Sequence, residues 1–235
     1  MRTQLLAAGA PSDVRVWRVD IDLTATLPQA GANELNATER ARAHRFLRHQ
    51  DAVRFVAMRA ALRRVLAAEL DVDPSRLAFD VDANGRPFLS MPDAPDFNVS
   101  HSGMHGLIAV SFGRRVGVDI EEALPPFDWR ALEGSVLHRD DKRAIDAMPQ
   151  AEARGAFFAC WTAKEAVLKA HGDGIGGNTL TMPGFSVLPR EGVRYAISAE
   201  AGAFQAIAIA APAGYAAALA WSAVTRPWCE SDPDA

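Results

Sequence analysis

The stretch FFACWTAKEAVLKAHGDGIG, residues 157–176, is the part of the chain around which the rest is organised. It contains no proline, and glycine follows its last apolar residues, so the pattern predicts a helix that ends near His171 and Gly172. At about 100° per residue, Phe157, Trp161 and Leu168 fall on one apolar stripe. We therefore expect a helix that packs against a core along this stripe.

Three charged residues of this helix allow two interpretations. Glu165 and Lys169 could be an ordinary surface pair at i,i+4, which stabilises a helix by only about 0.2–0.5 kcal/mol. Lys164, however, falls inside the apolar stripe, where a charge is costly unless it has a partner. The helix alone leaves a structural and a functional role equally open.

Composition excludes several classes of protein. The 235 residues fit one large domain or two small ones, and 49% of them are hydrophobic, which argues against disorder. The net charge of −4 argues against a protein that coats nucleic acid. Only two cysteines occur and no apolar run reaches the ~20 residues of a membrane span, so we expect a cytoplasmic protein without disulfides and without a membrane anchor.

The first third of the chain predicts a strand followed by an arginine-rich helical region. Residues 14–23 alternate like a half-buried strand, and Asn36 with Glu39 three residues later is a helix N-cap signal. A helical pattern then covers residues 40–64, with a break near residues 49–51. The arginines of this region are Arg40, Arg42, Arg45, Arg48, Arg54, Arg59, Arg63 and Arg64. They are either a solvated helix face or a phosphate site, because guanidinium binds phosphate in a bidentate manner.

Two turns follow. Asn84 and Gly85 predict a hairpin between residues 77–81 and 87–89, with Arg86 at the edge of the turn. Residues 97–103 predict a short strand that runs into a polar bend, where Ser100 and His101 are either turn residues or ligand contacts.

Residues 107–112 and 116–121 predict a second hairpin around residues 113–115. In its second strand Gly117, Asp119 and Glu121 share one face, and the two carboxylates stand roughly 7 Å apart at Cα. Like charges so close repel each other unless a cation lies between them, and Mg²⁺ is typically held by one or two carboxylates and substrate phosphates. The alternative is an exposed strand end, for which Gly117 is an unusual choice, because glycine permits a close approach.

The remaining sequence repeats the order of elements loosely. A second helical segment covers residues 131–148, and after the central helix comes an irregular glycine-rich loop at residues 172–177. Strand-like runs occupy residues 193–198, 204–210 and 215–224, and residues 226–235 have the composition of a disordered tail. Each half thus consists of helix followed by strands.

Three blocks, SHSG at 100–103, GVDIE at 117–121 and WTAKEAVLK at 161–169, together resemble the signature of the 4′-phosphopantetheinyl transferases. The resemblance is to the large, two-lobed, surfactin-synthetase-activating class, and RFLRHQDAVRF and NGRP extend it over residues 42–185. It implies an α+β fold of two similar, pseudo-symmetric lobes with the active site between them. The lobes would be residues 1–115, with the basic helix, and 116–225, with the acidic site, before the tail at 226–235.

The resemblance also implies a reaction: 4′-phosphopantetheine moves from coenzyme A to a serine of an acyl or peptidyl carrier protein, which releases 3′,5′-ADP. Such an enzyme needs Mg²⁺, and we expect a monomer that binds neither nucleic acid nor a membrane. By the same resemblance Asp119, Glu121 and Glu165 hold the metal. Glu165 and Lys169 are the implied catalytic residues: Glu165 helps to deprotonate the carrier serine, and Lys169 contacts phosphate. The implied coenzyme A contacts are Arg42, Arg45, Arg86, Ser100, His101, Lys164 and Lys169.

Departures from the family pattern are few. The positions of Arg42, Arg45 and Arg86 often carry lysine in relatives, and Ala166 replaces a common serine. For Lys164 the resemblance leaves two possibilities, a phosphate or a carboxylate partner.

Two other classes remain as alternatives. A Mg²⁺-dependent phosphodiesterase or nuclease would also use paired carboxylates and a lysine, but net acidity and the lack of base-stacking aromatics count against it. A non-catalytic nucleotide-binding module is the other alternative. The acidic residues Asp119, Glu121 and Glu165 count against it, because such a module would not need them.

Overall fold

The computed structural model describes residues 1–123, 127–172 and 180–223. Most of the predicted glycine-rich loop and all of the predicted tail lie outside these residues. The described residues contain six α-helices: α1 (Leu27–Ala30), α2 (Ala37–Ala43), α3 (His49–Leu70), α4 (Glu133–Val136), α5 (Arg139–Asp146) and α6 (Gln150–His171). Among the described helices, none has both the length and the apolar character that a membrane span requires.

Eleven described strands form two main sheets and a hairpin. The strands are β1 (Arg2–Leu6), β2 (Val14–Asp20), β3 (Phe79–Val81), β4 (Pro87–Leu89), β5 (Asp96–Ser102), β6 (His105–Ser111), β7 (Val116–Glu122), β8 (Arg190–Glu191), β9 (Arg194–Tyr195), β10 (Phe204–Ala208) and β11 (Tyr215–Ser222). The first sheet has the order β1-β2-β6-β5, and the second has the order β7-β11-β10-β9-β8. The fold is therefore α+β in two lobes, as expected.

The first lobe is built on α3, a helix of 22 residues that covers one face of the first sheet. The break before it lies at residues 44–48, slightly earlier than the sequence predicts. Asn36 and Glu39 form the predicted capping box at the start of α2, and β3 pairs with β4 around the predicted Asn84–Gly85 turn. These local signals are confirmed.

The second lobe is built on α6, which ends at His171 and is followed by Gly172 with φ +97°, as the glycine predicts. The predicted stripe packs against the core, with Phe157 and Leu168 buried and Trp161 partly buried, but α6 is also buried on most of the rest of its circumference. Phe157, Thr162 and Ala163 all have no exposed surface, although at about 100° per residue they lie more than 90° apart from one another around the helix. The second sheet covers one side of α6, while α5 and the chain around residues 180–188 cover others.

Strand β2 is buried more fully than its alternation suggests. Trp17 and Val19 pack against the α3 core as expected, but Val14 and Val16 on the other face enter a third core between the two sheets. This third core joins the lobes. The strand also ends at Asp20 rather than at residue 23.

Two predictions near the lobe junction are wrong. SHS at 100–102 forms the end of β5 and is not a bend. Strands β6 and β7 are not a hairpin either, because β6 pairs with β2 and β5 while β7 pairs with β11 in the other sheet. The connection crosses between the sheets, and Arg114 holds it there through Asp13 (3.0 Å) and the carbonyl of Ser222 (3.0 Å).

Candidate active site

The site begins where α6 crosses β7. A Cβ on Gly117 would lie 2.0 Å from the carbonyl oxygen of Ala166 and 2.4 Å from the amide nitrogen of Ala170. Helix and strand backbones therefore pack directly on each other, which explains the glycine. This contact brings Glu165 and Lys169, on the next face of α6, towards Asp119.

Asp119 is the centre of the polar cluster. Its Oδ1 accepts hydrogen bonds from Lys169 Nζ (2.6 Å) and from Ser100 Oγ (2.7 Å), and only 1% of the residue is exposed. Its Oδ2 is also buried but has no hydrogen-bond partner among the described residues. A buried carboxylate oxygen without a partner is costly, so a ligand at this position would stabilise the site.

Two glutamates complete the acidic side. Glu165 is 8% exposed, and its Oε2 is buried without a described partner. Burial raises the pKa of Glu165 although Lys169 opposes this, and Asp119 raises it further. Burial and then the charge of Asp119 raise the pKa of Glu121 to about 7, while a hydrogen bond from Ser102 works against the shift.

The three carboxylates are not arranged as a preformed metal site. Among the described residues, no three His, Cys, Asp or Glu side chains lie close enough together to bind one metal ion. Lys169 Nζ already contacts Asp119. The chemistry nevertheless fits a hard cation, because the two unpartnered oxygens of Asp119 and Glu165 are anionic donors. A Mg²⁺ ion would take its other oxygen ligands from a bound phosphate and water.

A basic cleft lies beside this cluster. One cavity of about 220 Å³ is lined by Arg42, Phe55, Arg59, Val99 and His101, and the Arg42 guanidinium lies 5.0 Å from the centre of the Phe55 ring. An adjoining cavity of about 230 Å³ shares the turn of the β3–β4 hairpin and reaches Lys169 and Gly172.

His101 lines the first of these cavities, in the strand that carries Ser100. Although part of the residue is exposed, loss of solvent around the ring lowers the pKa of His101, and the charge of Arg54 lowers it further. Arg45 is exposed in the turn after α2 and does not line either cavity.

The side chain of Arg86 forms hydrogen bonds with three other segments of the protein. Its guanidinium donates to Asp96 (2.7 Å), to the carbonyls of Phe97 (3.0 Å) and Val116 (2.9 Å), and also to the carbonyl of Lys169. It thus binds β5, β7 and α6 together at the lobe junction. Arg86 also lines the cavity that reaches Lys169, so its contact with coenzyme A stays a prediction beside these structural contacts.

Lys164 is not brought to the cleft. It has no exposed surface, and its ammonium group pairs with the equally buried Asp141 (2.7 Å) and donates to the carbonyls of Met182 (2.8 Å) and Phe185. Of the two possibilities for Lys164, the carboxylate partner is the one in the structure. The residue has no free surface with which to contact a coenzyme A phosphate.

Two residues that shape the site are not selected for it from the sequence: Ser102 receives no role there, and Arg59 is only one of eight arginines that are either a solvated helix face or a phosphate site. Ser102 contacts Glu121 (3.0 Å), and Arg59 lines the basic cavity with Arg42. Ser102 could have been found from its i,i+2 spacing to Ser100 in a strand, had the strand not been interpreted as a bend. Nothing in the sequence pairs Asp141 with Lys164.

A larger cavity, of about 430 Å³, lies on the far side of Arg86, between β4 and residues 91–96. Lys169, which contacts Asp119 and lines the smaller cavity beside it, does not line this one, so the size of this cavity does not make it the active site.

Comparison with known proteins gives a family for both lobes. Residues 27–112 match the family model described as the N-terminal part of 4′-phosphopantetheinyl transferase. Residues 115–220 match the model of the 4′-phosphopantetheinyl transferase superfamily. The chain belongs to the 4′-phosphopantetheinyl transferases.

Several named relatives agree with this result. The 4′-phosphopantetheinyl transferase HetI of Nostoc is 36% identical over 166 residues, which cover 69% of this chain and 70% of HetI. A putative 4′-phosphopantetheinyl transferase of Synechocystis is 39% identical over 145 residues, 61% of this chain and 59% of the relative. The 4′-phosphopantetheinyl transferase Sfp of Bacillus subtilis is 27% identical over 155 residues, 65% of this chain and 66% of Sfp.

Proposed function

We propose that this protein transfers 4′-phosphopantetheine from coenzyme A to a serine of an acyl or peptidyl carrier protein, with Asp119, Glu165 and Lys169 at the reacting phosphates. Family membership supports the reaction. The main observation in support of this site is that the three side chains lie close together. Two of their carboxylate oxygens are buried without a hydrogen-bond partner among the described residues, and a cleft lined by arginine and histidine lies beside them. The comparisons lend no support to a nuclease.

Asp119 and Glu165, together with Glu121, would hold the divalent metal that family members typically use, and we propose Mg²⁺. When bound, the ion polarises a phosphoryl oxygen and neutralises charge on the leaving group. The unpartnered oxygens of the first two residues are the donors, while Ser102 already holds one oxygen of Glu121.

Glu165 is the general base in this proposal. Its raised pKa makes it a better proton acceptor than an exposed glutamate. It takes the proton of the carrier serine while the serine oxygen forms a bond to the phosphorus that carries pantetheine. The bond from that phosphorus to the bridging oxygen breaks, and both electrons leave with 3′,5′-ADP. The carrier serine thus becomes a phosphodiester, and the proton stays on Glu165 until solvent removes it.

The basic residues position coenzyme A. Lys169 lines the cavity next to Asp119 and supplies a positive charge for the pyrophosphate. Arg42 and His101 line the adjoining cavity, which has the charge and the aromatic wall suited to a phosphorylated adenosine. Arg45 would reach this end of the ligand only by a movement of its exposed side chain.

The test is mass spectrometry of an apo carrier protein after incubation with the enzyme, coenzyme A and Mg²⁺. The transferase adds about 340 Da to the carrier, which corresponds to the phosphopantetheine group. An unmodified carrier with hydrolysed coenzyme A would favour a phosphodiesterase. An unmodified carrier with intact coenzyme A would favour a binding module. Glu165→Gln is the control that keeps the shape of the site.

A further inference from the structure

Strand β5 meets the edge of β7 through side chains instead of backbone. The amides of Val116, Val118, Ile120 and Glu122 donate to the side chains of Asp96 (2.7 Å), Asn98 (3.0 Å), Ser100 (3.4 Å) and Ser102 (3.1 Å), respectively. Partners are 20 residues apart in every pair, so the two strands run in the same direction. Alternate side chains of one lobe therefore supply the acceptors that the edge strand of the other lobe needs.

In this ladder of four side-chain-to-amide hydrogen bonds, two members also contact a carboxylate of β7, whereas Asp96 also accepts a hydrogen bond from Arg86. Ser100 Oγ contacts Asp119 Oδ1 at 2.7 Å, and Ser102 Oγ contacts Glu121 Oε2 at 3.0 Å. Each serine thus contacts a carboxylate of β7 and accepts a hydrogen bond from the backbone amide of the residue that follows this carboxylate in the sequence. Asn98 accepts an amide in the same way, but the described contacts give it no carboxylate partner.

The direction of these hydrogen bonds follows from the groups involved. A hydroxyl has one proton and two lone pairs. The amide of Ile120 and the ammonium of Lys169 (3.2 Å) can only donate to Ser100, so the hydroxyl proton of Ser100 goes to Asp119. All three positions of this hydroxyl are then occupied by protein groups.

We infer that Ser100 and Ser102 are positioning residues, which hold Asp119 and Glu121 so that their remaining oxygens face the metal and the phosphates. The inference rests on the proposed function, and it replaces the nucleotide contact that the resemblance implies for Ser100. Hydrogen bonds from the protein to one oxygen of a carboxylate orient the other oxygen, and loss of such a partner typically lowers metal affinity about 10- to 100-fold. In agreement with this, Asp119 Oδ2 is the oxygen without a described partner.

The experiment compares the wild type with Ser100→Ala, Ser102→Ala, Ser102→Thr and Asn98→Ala. Mn²⁺ serves as the probe, and its binding in the presence of coenzyme A is measured by electron paramagnetic resonance. Coenzyme A binding in EDTA is measured by calorimetry, and stability by urea unfolding.

The two serine-to-alanine variants should need about 10- to 100-fold more Mn²⁺ for half-saturation, with coenzyme A binding in EDTA unchanged. Ser102→Thr keeps the hydroxyl and should restore Mn²⁺ affinity. Asn98→Ala loses one of these hydrogen bonds as well, so it should be less stable in urea. Because Asn98 lines the cavity that reaches Lys169, its Mn²⁺ affinity is measured at a coenzyme A concentration that saturates the variant, where it should equal that of the wild type.

Three results would overturn the inference. The first is wild-type Mn²⁺ affinity in both alanine variants. The second is weaker coenzyme A binding in EDTA, which would return the serines to the nucleotide. The third is an equal loss of Mn²⁺ affinity in Asn98→Ala, which would indicate a general structural effect. Should one alanine variant not fold, the other decides, because each serine holds a different carboxylate. Failure of this inference can be distinguished from failure of the proposed function, because in the second case the wild type itself would leave the carrier unmodified.

Discussion

Replacement of Lys164 by methionine tests whether this residue stabilises the second lobe or binds the substrate. Lys164 and Asp141 are both fully buried and 2.7 Å apart. Removal of one partner from a buried ion pair leaves an uncompensated charge, which typically costs about 3–5 kcal/mol. The carbonyls of Met182 and Phe185 also lose their donor. Methionine retains the length of the side chain, so the loss of packing is small.

The expected result is a large loss of stability without a specific loss of ligand. For a protein of this size, each kcal/mol lowers Tm by roughly 2–4 °C, so Lys164→Met should lower Tm by roughly 6–20 °C. Urea unfolding followed by tryptophan fluorescence gives the free energy of unfolding. Calorimetry at a temperature where the variant is folded gives its coenzyme A affinity, which should equal that of the wild type.

The double variant Lys164→Met/Asp141→Asn is the matched control. Asparagine keeps an oxygen for the amides of Val187 (2.9 Å) and Leu188 (3.0 Å) but removes the charge. Replacement of both charges should therefore recover much of the stability, because neutral replacements of buried pairs are often tolerated. Unchanged stability combined with weaker coenzyme A binding in Lys164→Met would refute the structural role and favour a phosphate contact.

Three further predictions concern the active site. Glu165→Gln should lower kcat by about 10²–10⁴-fold while calorimetry still detects coenzyme A binding; a normal kcat would remove Glu165 from the mechanism. Gly117→Ala should destabilise the protein by about 1–3 kcal/mol or more in urea unfolding, because the new Cβ would meet backbone atoms of α6; wild-type stability would contradict the direct contact of helix and strand. His101→Ala and Arg42→Ala should each lower kcat/KM for coenzyme A by about 10- to 150-fold and barely affect dephospho-coenzyme A; an equal loss with both substrates would argue against a 3′-phosphate contact.

Local signals in the sequence predict the corresponding parts of the fold well. The end of α6 follows from Gly172, the start of α2 from Asn36 and Glu39, and the β3–β4 turn from Asn84 and Gly85. Each of these features depends on residues within a few positions of one another, where steric and hydrogen-bonding preferences act directly.

Pairings between distant segments could not be predicted in the same way. Alternation shows that residues 116–121 form a strand, but it does not show that the strand pairs with β11 instead of β6. The charge of Lys164 within an apolar segment indicates that a partner is needed, but Asp141 is only one of many acidic residues. The roles of Ser100 and Ser102 depend on the junction of two sheets, which no periodicity within one strand reveals.

The position of the site at the lobe junction has a physical explanation. Two sheet edges that pair through their backbones lie about 4.8 Å apart and leave no room for side chains between them. Here β7 receives its hydrogen bonds from side chains of β5, so polar groups can stand between the sheets without unpaired amides. The same serines that satisfy β7 also contact Asp119 and Glu121, while α6 adds Glu165 and Lys169 from the other side. The acids therefore belong to one lobe and the serines that contact them to the other, so the proposed active site contains groups from both lobes.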